Sequence, residues 1–172
     1  MMRMNILAHV LTLTFVVIMG IYLMVQDRFG FGVKLYALLV TVLALYLLLQ
    51  RDLYLPFLGA SAFPLGVVKS DMAPNGANVS YTLDFDAKDE GKHVIYWGSK
   101  PSQNVFPNPW DAYEDFSNAG VATIQNGKAT VKFFCPSKYQ VPWGKTLDRH
   151  IHYRVCCEKG MMSPVKTKYI KC

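Results

Sequence analysis

Two histidines spaced by one residue, His150-x-His152, fall on one side of an extended segment, with Cys156 farther along the same side. Metal centres use such pairs, but they need a third or fourth ligand. The remaining candidates, His93 and Cys135, have no sequence relation that brings them there. The simpler reading is two imidazoles hydrogen-bonded to their neighbours on a surface or half-buried face, with no metal. Asp111, Glu114 and Asp115 sit close enough to hold a cation, but read more simply as solvated loop charges. No nucleophile elbow, phosphate loop, zinc-protease motif or dinucleotide fingerprint occurs. The expectation is a non-enzyme with no cofactor.

Of four cysteines, Cys156 and Cys157 point to opposite faces of one strand and do not pair with each other. Cys157 shares the core face and could reach Cys135 across the domain as a disulfide; buried thiols fit the same positions. Asn78-Val79-Ser80 is a glycosylation triplet that matters only on a lumenal side. Lys166, Lys168 and Lys171 read as the polar face of an edge strand rather than as a nucleic-acid stripe.

The elements that carry these residues divide sharply. The chain has 172 residues, 52% hydrophobic and 17% charged, which excludes a disordered protein. Up to Val68 only Arg3, Arg28, Lys34 and Arg51 are basic and only Asp27 and Asp52 acidic. That leaves 14 of the 18 basic and 10 of the 12 acidic residues for the rest. An apolar front therefore precedes a mildly basic back.

Residues 5–25 carry no formal charge, enough for a helix across about 30 Å of hydrocarbon. The following Gln26-Asp27-Arg28 offers no signal-peptidase site, so the segment is expected to stay as an anchor. Residues 35–49 form a second apolar run, extended by 29–33, with Lys34 able to snorkel to the headgroups. The short glycine-containing turn between them predicts a transmembrane hairpin with both ends on one side. Gly20 and Gly30–Gly32 show no small-xxx-small face. Arg3 and Arg51 balance Arg28 and Lys34 across the bilayer, and Lys69 tips the balance slightly towards a cytoplasmic C-terminal part. Residues 1–52 are thus read as the hairpin and 53–68, broken by Pro56, Gly59, Pro64 and Gly66, as an apolar interfacial linker. Arg3, Lys34, Arg51, Tyr54 and Phe57 are the expected membrane-interface residues.

From residue 69 the pattern turns to period two. Val79, Tyr81, Leu83 and Phe85 alternate with polar residues, residues 93–98 are apolar on both faces, and residues 150–157 and 164–171 give two later strands. A first strand is expected at 65–70. Asn126-Gly127 predicts a type I′ hairpin, with Ile124 opposite Ala129 and Ala122 opposite Val131. About seven short strands indicate an all-β antiparallel sandwich, immunoglobulin-like in size, over residues 69–172. One long connection, residues 99–118, holds Phe106, Trp110, Tyr113 and Phe116. With Trp143 these aromatics are either a cover over an open end of the sandwich or a partner-binding surface. Residues 111–116 are expected to form one helical turn.

Tyr113-Glu-Asp-Phe-Ser-Asn-Ala-Gly-Val121, Asn126-Gly127, Val141-Pro-Trp-Gly-Lys-Thr-Leu147, His150-Ile-His-Tyr-Arg-Val-Cys156 and Gly160-Met-Met-Ser163 form a string of short motifs. It resembles a domain of membrane-anchored proteins from nucleocytoplasmic large DNA viruses, of the chlorella-virus and mimivirus-like group, across about residues 94–170. The resemblance implies a structural minor capsid or virion membrane protein at the interface between an internal virion membrane and the capsid. The hairpin would hold the lipid, and the sandwich would bind major and other minor capsid proteins; a second copy of the chain is a further candidate partner. It also implies a shell-facing domain of cytosolic origin, with Asn78 unmodified and disulfides dependent on a viral oxidase. The alternative is a membrane-anchored recognition module, receptor-like or carbohydrate-binding, using Trp110 and Trp143. No nucleic acid is expected.

Overall fold

A computed structural model describes residues 2–59, 71–141, 144–156 and 162–172. The chain forms two compact units, Met1–Pro56 and Phe57–Cys172.

The first unit is a pair of helices, α1 (Met2–Val25) and α2 (Phe31–Leu49). Both are long and apolar enough to cross a membrane. Leu7, Leu11, Phe15 and Ile18 of α1, and Leu39, Val42, Leu43 and Tyr46 of α2, are exposed. A soluble protein buries such residues; here they form the outside of the hairpin. The helices meet along small residues. Ala37, Thr41 and Ala44 of α2 are buried, and a Cβ at Gly20 of α1 would collide with Thr41 Oγ1. Thr41 turns its hydroxyl onto the Ala37 carbonyl (2.7 Å), which keeps it satisfied in an apolar contact. A small-residue seam therefore exists: Ala37, Thr41 and Ala44 supply it from α2, where Ala37-x-x-x-Thr41 is itself a small-xxx-small spacing, and Gly20 faces it from α1.

At the turn, Lys34 Nζ lies 3.9 Å from Asp27 Oδ1 and Arg28 donates to the Tyr22 hydroxyl (3.3 Å). At the other end, a 3-10 turn (Arg51–Leu53) carries an exposed Arg51 and leads to Tyr54. The Tyr54 hydroxyl donates to Leu48 O (2.8 Å), and its ring lies 5.1 Å from that of His9. Arg51 and Tyr54 thus follow α2, and Lys34 lies in its first turn. The Arg3 side chain lies outside the described ones.

The second unit is antiparallel β. Its strands are β1 (Val79–Asp84), β2 (His93–Gly98), β3 (Ala119–Thr123), β4 (Lys128–Phe133), β5 (Tyr139–Gln140), β6 (Thr146–Leu147), β7 (His150–Val155) and β8 (Lys166–Tyr169); a short helix, α3 (Pro109–Tyr113), precedes β3. The main sheet has the order β3-β2-β7-β8, with β1-β4 and β5-β6 as two-stranded sheets. Residues 93–98 are central, as their two apolar faces required. The strand expected at 65–70 lies outside the described residues.

One face of the main sheet packs on β1-β4. Val94, Tyr96, Ala122, Ile151 and Val155 meet Leu83, Ala129, Val131 and Phe133 in a dry core. Gly120 makes room for Tyr96, because a Cβ there would collide with the Tyr96 hydroxyl and the Met72 carbonyl oxygen. That hydroxyl crosses the core, donates to Lys132 O (2.8 Å) and accepts from Lys132 N–H (3.2 Å).

The Asn126-Gly127 turn forms, with φ of 53° and 69°. The Glu90 carboxylate accepts both turn N–H groups (2.9 Å each). The hairpin ladder does not follow. Only Gln125 and Lys128 pair across the turn. β3 then joins β2, while β4 joins β1 in the register Leu83↔Ala129 and Tyr81↔Val131. The expected burial of Ala122, Ile124, Ala129 and Val131 holds. They meet across two sheets rather than along one.

At the open end, buried Asn118 stands in for missing ladder bonds. Its Nδ2 donates to Ser99 O (2.8 Å) and Phe134 O (2.9 Å), and its Oδ1 accepts from Phe134 N–H (2.8 Å). A disulfide joins Cys135 to Cys172, closing 37 residues of chain. The expected Cys135–Cys157 pairing is therefore wrong in its second member. Cys135 follows β4 and faces the segment after β8, which brings Cys172 to it; Cys157 lies outside the described residues.

Candidate functional site

The chemistry-bearing residues converge on the other face of the main sheet. Strand alternation sends Ile95 and Trp97 of β2, and His150, His152 and Arg154 of β7, to the side opposite the first core. A second layer covers them. It consists of Phe57, Phe106, Ala112, Tyr113, Tyr139, Val141 and Leu147, with Val165 beside β8. The histidines are therefore not on a surface or half-buried face: His150 is 3% and His152 5% exposed. The physical reason is that the long connection folds back over the sheet, giving it two dry faces.

The local sequence explains how that cover is built. Asn108 caps α3, its Oδ1 accepting from Asp111 N–H (3.0 Å), and Pro109 opens the helix where no donor is needed. The helix starts and ends earlier than the expected turn at 111–116. It ends at Tyr113, and Glu114 and Phe116 after it both have positive φ. This geometry turns Tyr113 inward. Its ring stacks 5.9 Å from Phe57, lies edge-on to Tyr139 at 5.5 Å and sits 5.9 Å from His152.

A hydrogen-bonded relay runs through the layer. His150 Nδ1 faces the Asp148 carbonyl, which can only accept, so Nδ1 carries the proton. Nε2 then accepts from the Tyr139 hydroxyl (3.0 Å), which lies 3.3 Å from the Tyr113 hydroxyl. Burial holds the His150 imidazolium pKa below its usual range, so the ring is neutral. Burial likewise pushes the Tyr139 phenol up, and the Tyr113 phenol far up, through loss of solvent and then the neighbouring Tyr139. His152 Nδ1 bonds the Thr167 hydroxyl (2.9 Å), tying β7 to edge strand β8. These groups have fixed protons and dry surroundings. They hold layers together; they do not present a nucleophile or base to solvent.

Two residues missed by sequence reasoning clamp the chain where it enters this unit. Trp97 Nε1 donates to Phe57 O (2.7 Å). Arg154, 2% exposed, donates from Nε (3.3 Å) and Nη2 (3.2 Å) to Leu58 O and from Nη1 (2.9 Å) to Ser163 O. Gly59, at φ 76°, lies flat against the Trp97 ring, where a Cβ would come within 2.9 Å of it. The available signal was the doubly apolar β2, which requires a cover on its outer face and hence on that of β7. Phe57, expected at the membrane interface, packs against Trp110 and Tyr113 inside the β unit.

The candidate loop residues divide accordingly. Tyr113 is buried, Phe106 and Trp110 are half-buried, and Phe116 is 38% exposed. Lys100 lies over the Phe106 ring at 5.3 Å and pairs with Glu114. The loop is a cover first, and of its aromatics Phe116 is the one most open to a partner, with Val105 also exposed. Trp143 lies outside the described residues. Among the described residues no three His, Cys, Asp or Glu side chains converge as metal ligands. A separate open cleft of about 350 Å³ lies by the disulfide, lined by Lys138, Asp148, Arg149, Tyr169 and Lys171; the Lys138–Asp148 ion pair (2.6 Å) crosses it.

In comparison with known proteins, the chain matches no protein-family model and no curated protein.

Proposed function

We propose that the chain is a membrane-anchored structural protein in which α1 and α2 cross a bilayer as a hairpin and the β unit binds a protein layer beside it. The observation that carries this reading is the exposed apolar exterior of both helices, in a chain whose β unit turns its His150, His152 and Arg154 inward to hold its own layers. Helices whose lipid-length windows are 6% and 17% buried need an apolar solvent. A bilayer is the one that fits their length.

The resemblance to membrane-anchored proteins of large DNA viruses gives the proposal its specific form: a minor capsid protein tethering an icosahedral shell to an internal virion membrane. Phe116, which follows Glu114 and Asp115 in the chain, and the exposed Val105 are the proposed partner contacts. A recognition module built on exposed tryptophans draws no support from Trp110, whose ring packs edge-on to Phe57 at 5.4 Å.

Crosslinking mass spectrometry on intact particles or membranes tests the proposal. Crosslinks from Lys100 or neighbouring residues to shell proteins are expected. A chain that partitions with lipid but crosslinks to no layer protein would refute the tether.

A further inference from the structure

We propose that the β unit matures on the oxidising, lumenal side of the membrane and that Asn78 is its N-glycosylation site. The inference rests on α1 and α2 crossing a bilayer as proposed above, and it concerns which side the β unit occupies. Two independent features of the same unit point that way.

The first is the Cys135–Cys172 disulfide. Disulfides form and persist in oxidising compartments and are rare where thiol reductants circulate. The bond sits beside an open cleft lined by Lys138, Arg149 and Lys171, within reach of small thiols. A reducing cytosol would therefore have access to it. The remaining described cysteine, Cys156, is a buried thiol, removed from exchange with the pair.

The second is Asn78-Val79-Ser80, the one Asn-x-Ser/Thr triplet in the chain. Asn78 is exposed and stands immediately before β1, after a turn closed by Ala77 N–H to Pro74 O (3.1 Å). Ser80 is on the wet face of β1. Neither residue is needed by the core, so a glycan there displaces nothing. It would also serve the fold: among the described residues β1 pairs only with β4, on one edge. A bulky polar group at the start of a strand edge obstructs pairing with another chain.

Charge opposes this orientation only through Lys69, one residue on the β-unit side. With the β unit lumenal, the turn bearing Arg28 and Lys34 is cytosolic, and it matches Arg3 and Arg51 in number. The side so assigned is opposite to the cytosolic side implied by the viral resemblance, so the inference rests on the spanning hairpin alone and excludes the shell-tethering form of the proposal.

The test uses the full chain translated with sealed endoplasmic-reticulum microsomes. The expected result is a carbonate-resistant membrane protein with one mobility step removed by peptide N-glycosidase. That step is lost in both Asn78→Gln and Ser80→Ala. The β unit should resist protease added outside. Two further maleimide adducts should appear only after reduction, and Cys135→Ser should abolish the gain. A carbonate-resistant chain with no glycan, digested from outside, would overturn the sidedness while leaving the spanning hairpin intact. A chain extracted by carbonate would overturn the spanning reading itself and the inference with it.

Discussion

Asn118 replaces three backbone hydrogen bonds at the end of the β unit where no ladder forms. Truncating it tests whether that substitution holds the two sheets together. Asn118→Ala leaves the carbonyls of Ser99 and Phe134 and the N–H of Phe134 without their side-chain partners in a site where Asn118 is 1% exposed. A buried group left unsatisfied costs about 1–3 kcal/mol. Three such groups, partly relaxed, give an expected loss of about 3–5 kcal/mol. For a unit of this size the loss corresponds to a fall in Tm of roughly 10–20 °C.

Asn118→Asp is the sharper variant because it keeps the shape. At neutral pH a carboxylate oxygen would face two carbonyl oxygens that now receive N–H donors. Burial and those oxygens would raise the carboxyl pKa above its unfolded value of about 3.9. A raised carboxyl pKa means that the folded form prefers the proton. The variant's deficit is therefore small near pH 4 and grows as pH rises towards the folded pKa. The assay is urea unfolding of the full chain in detergent, followed by near-ultraviolet circular dichroism at pH 4.5 and 7.5. A loss below about 1 kcal/mol for Asn118→Ala, or a deficit of the Asp variant that does not change with pH, would refute the argument.

Four further outcomes are expected. Gly120→Ala should destabilise by about 1–3 kcal/mol through the clash with Tyr96 and the Met72 carbonyl, and Tyr96→Phe should not rescue it because the backbone clash remains; urea unfolding of the double variant decides this. Stability should be flat above the unfolded histidine pKa of about 6.5 and should fall as pH drops below it, by up to about 1.4 kcal/mol per pH unit, because buried His150 resists the proton that the unfolded chain takes up; His150→Gln should flatten that part of the profile. Reducing the Cys135–Cys172 bond should cost about 3–4 kcal/mol by freeing the closed loop, measured as a shift in urea midpoint with and without reductant, and Cys156→Ser should leave that difference unchanged. Gly20→Leu should separate α1 from α2 at the Thr41 contact, lowering the yield of engineered disulfides between the helices, whereas Gly32→Leu, which meets open space, should not.

What the sequence made legible was mostly periodicity. The charge-free runs marked both helices, and the doubly apolar residues 93–98 marked the central strand. Alternation placed Ala122, Ile124, Ala129 and Val131 on buried faces. Pairing was less legible. An Asn-Gly turn dictates a reversal over two residues but not which strand edges the arms then join. Here Phe85 N–H takes the Gly127 carbonyl (2.8 Å), drawing the second arm into another sheet. Glu90, which braces the turn, reads only as a charged loop residue. The candidate site was misread for a related reason. Polar His150, His152 and Arg154 look like a wet face until the 99–118 connection is seen to lie over them. The disulfide was half legible, since four cysteines permit several pairings and only the path of the last strand selects Cys172. The helix seam was missed because only the glycines were read for it, whereas Ala37-x-x-x-Thr41 of α2 carries the small-residue spacing.

The clamp on Phe57 and Leu58 has a mechanical consequence. Trp97 belongs to β2 and Arg154 to β7, the two inner strands of the main sheet. Tension arriving along the chain from the hairpin is therefore delivered to the middle of the sheet, in parallel through several hydrogen bonds. It does not peel β8 or β3 from an edge. Pulling on that end should meet a resisting load shared among bonds. Loss of either the indole N–H or the guanidinium should turn it into stepwise tearing at lower force.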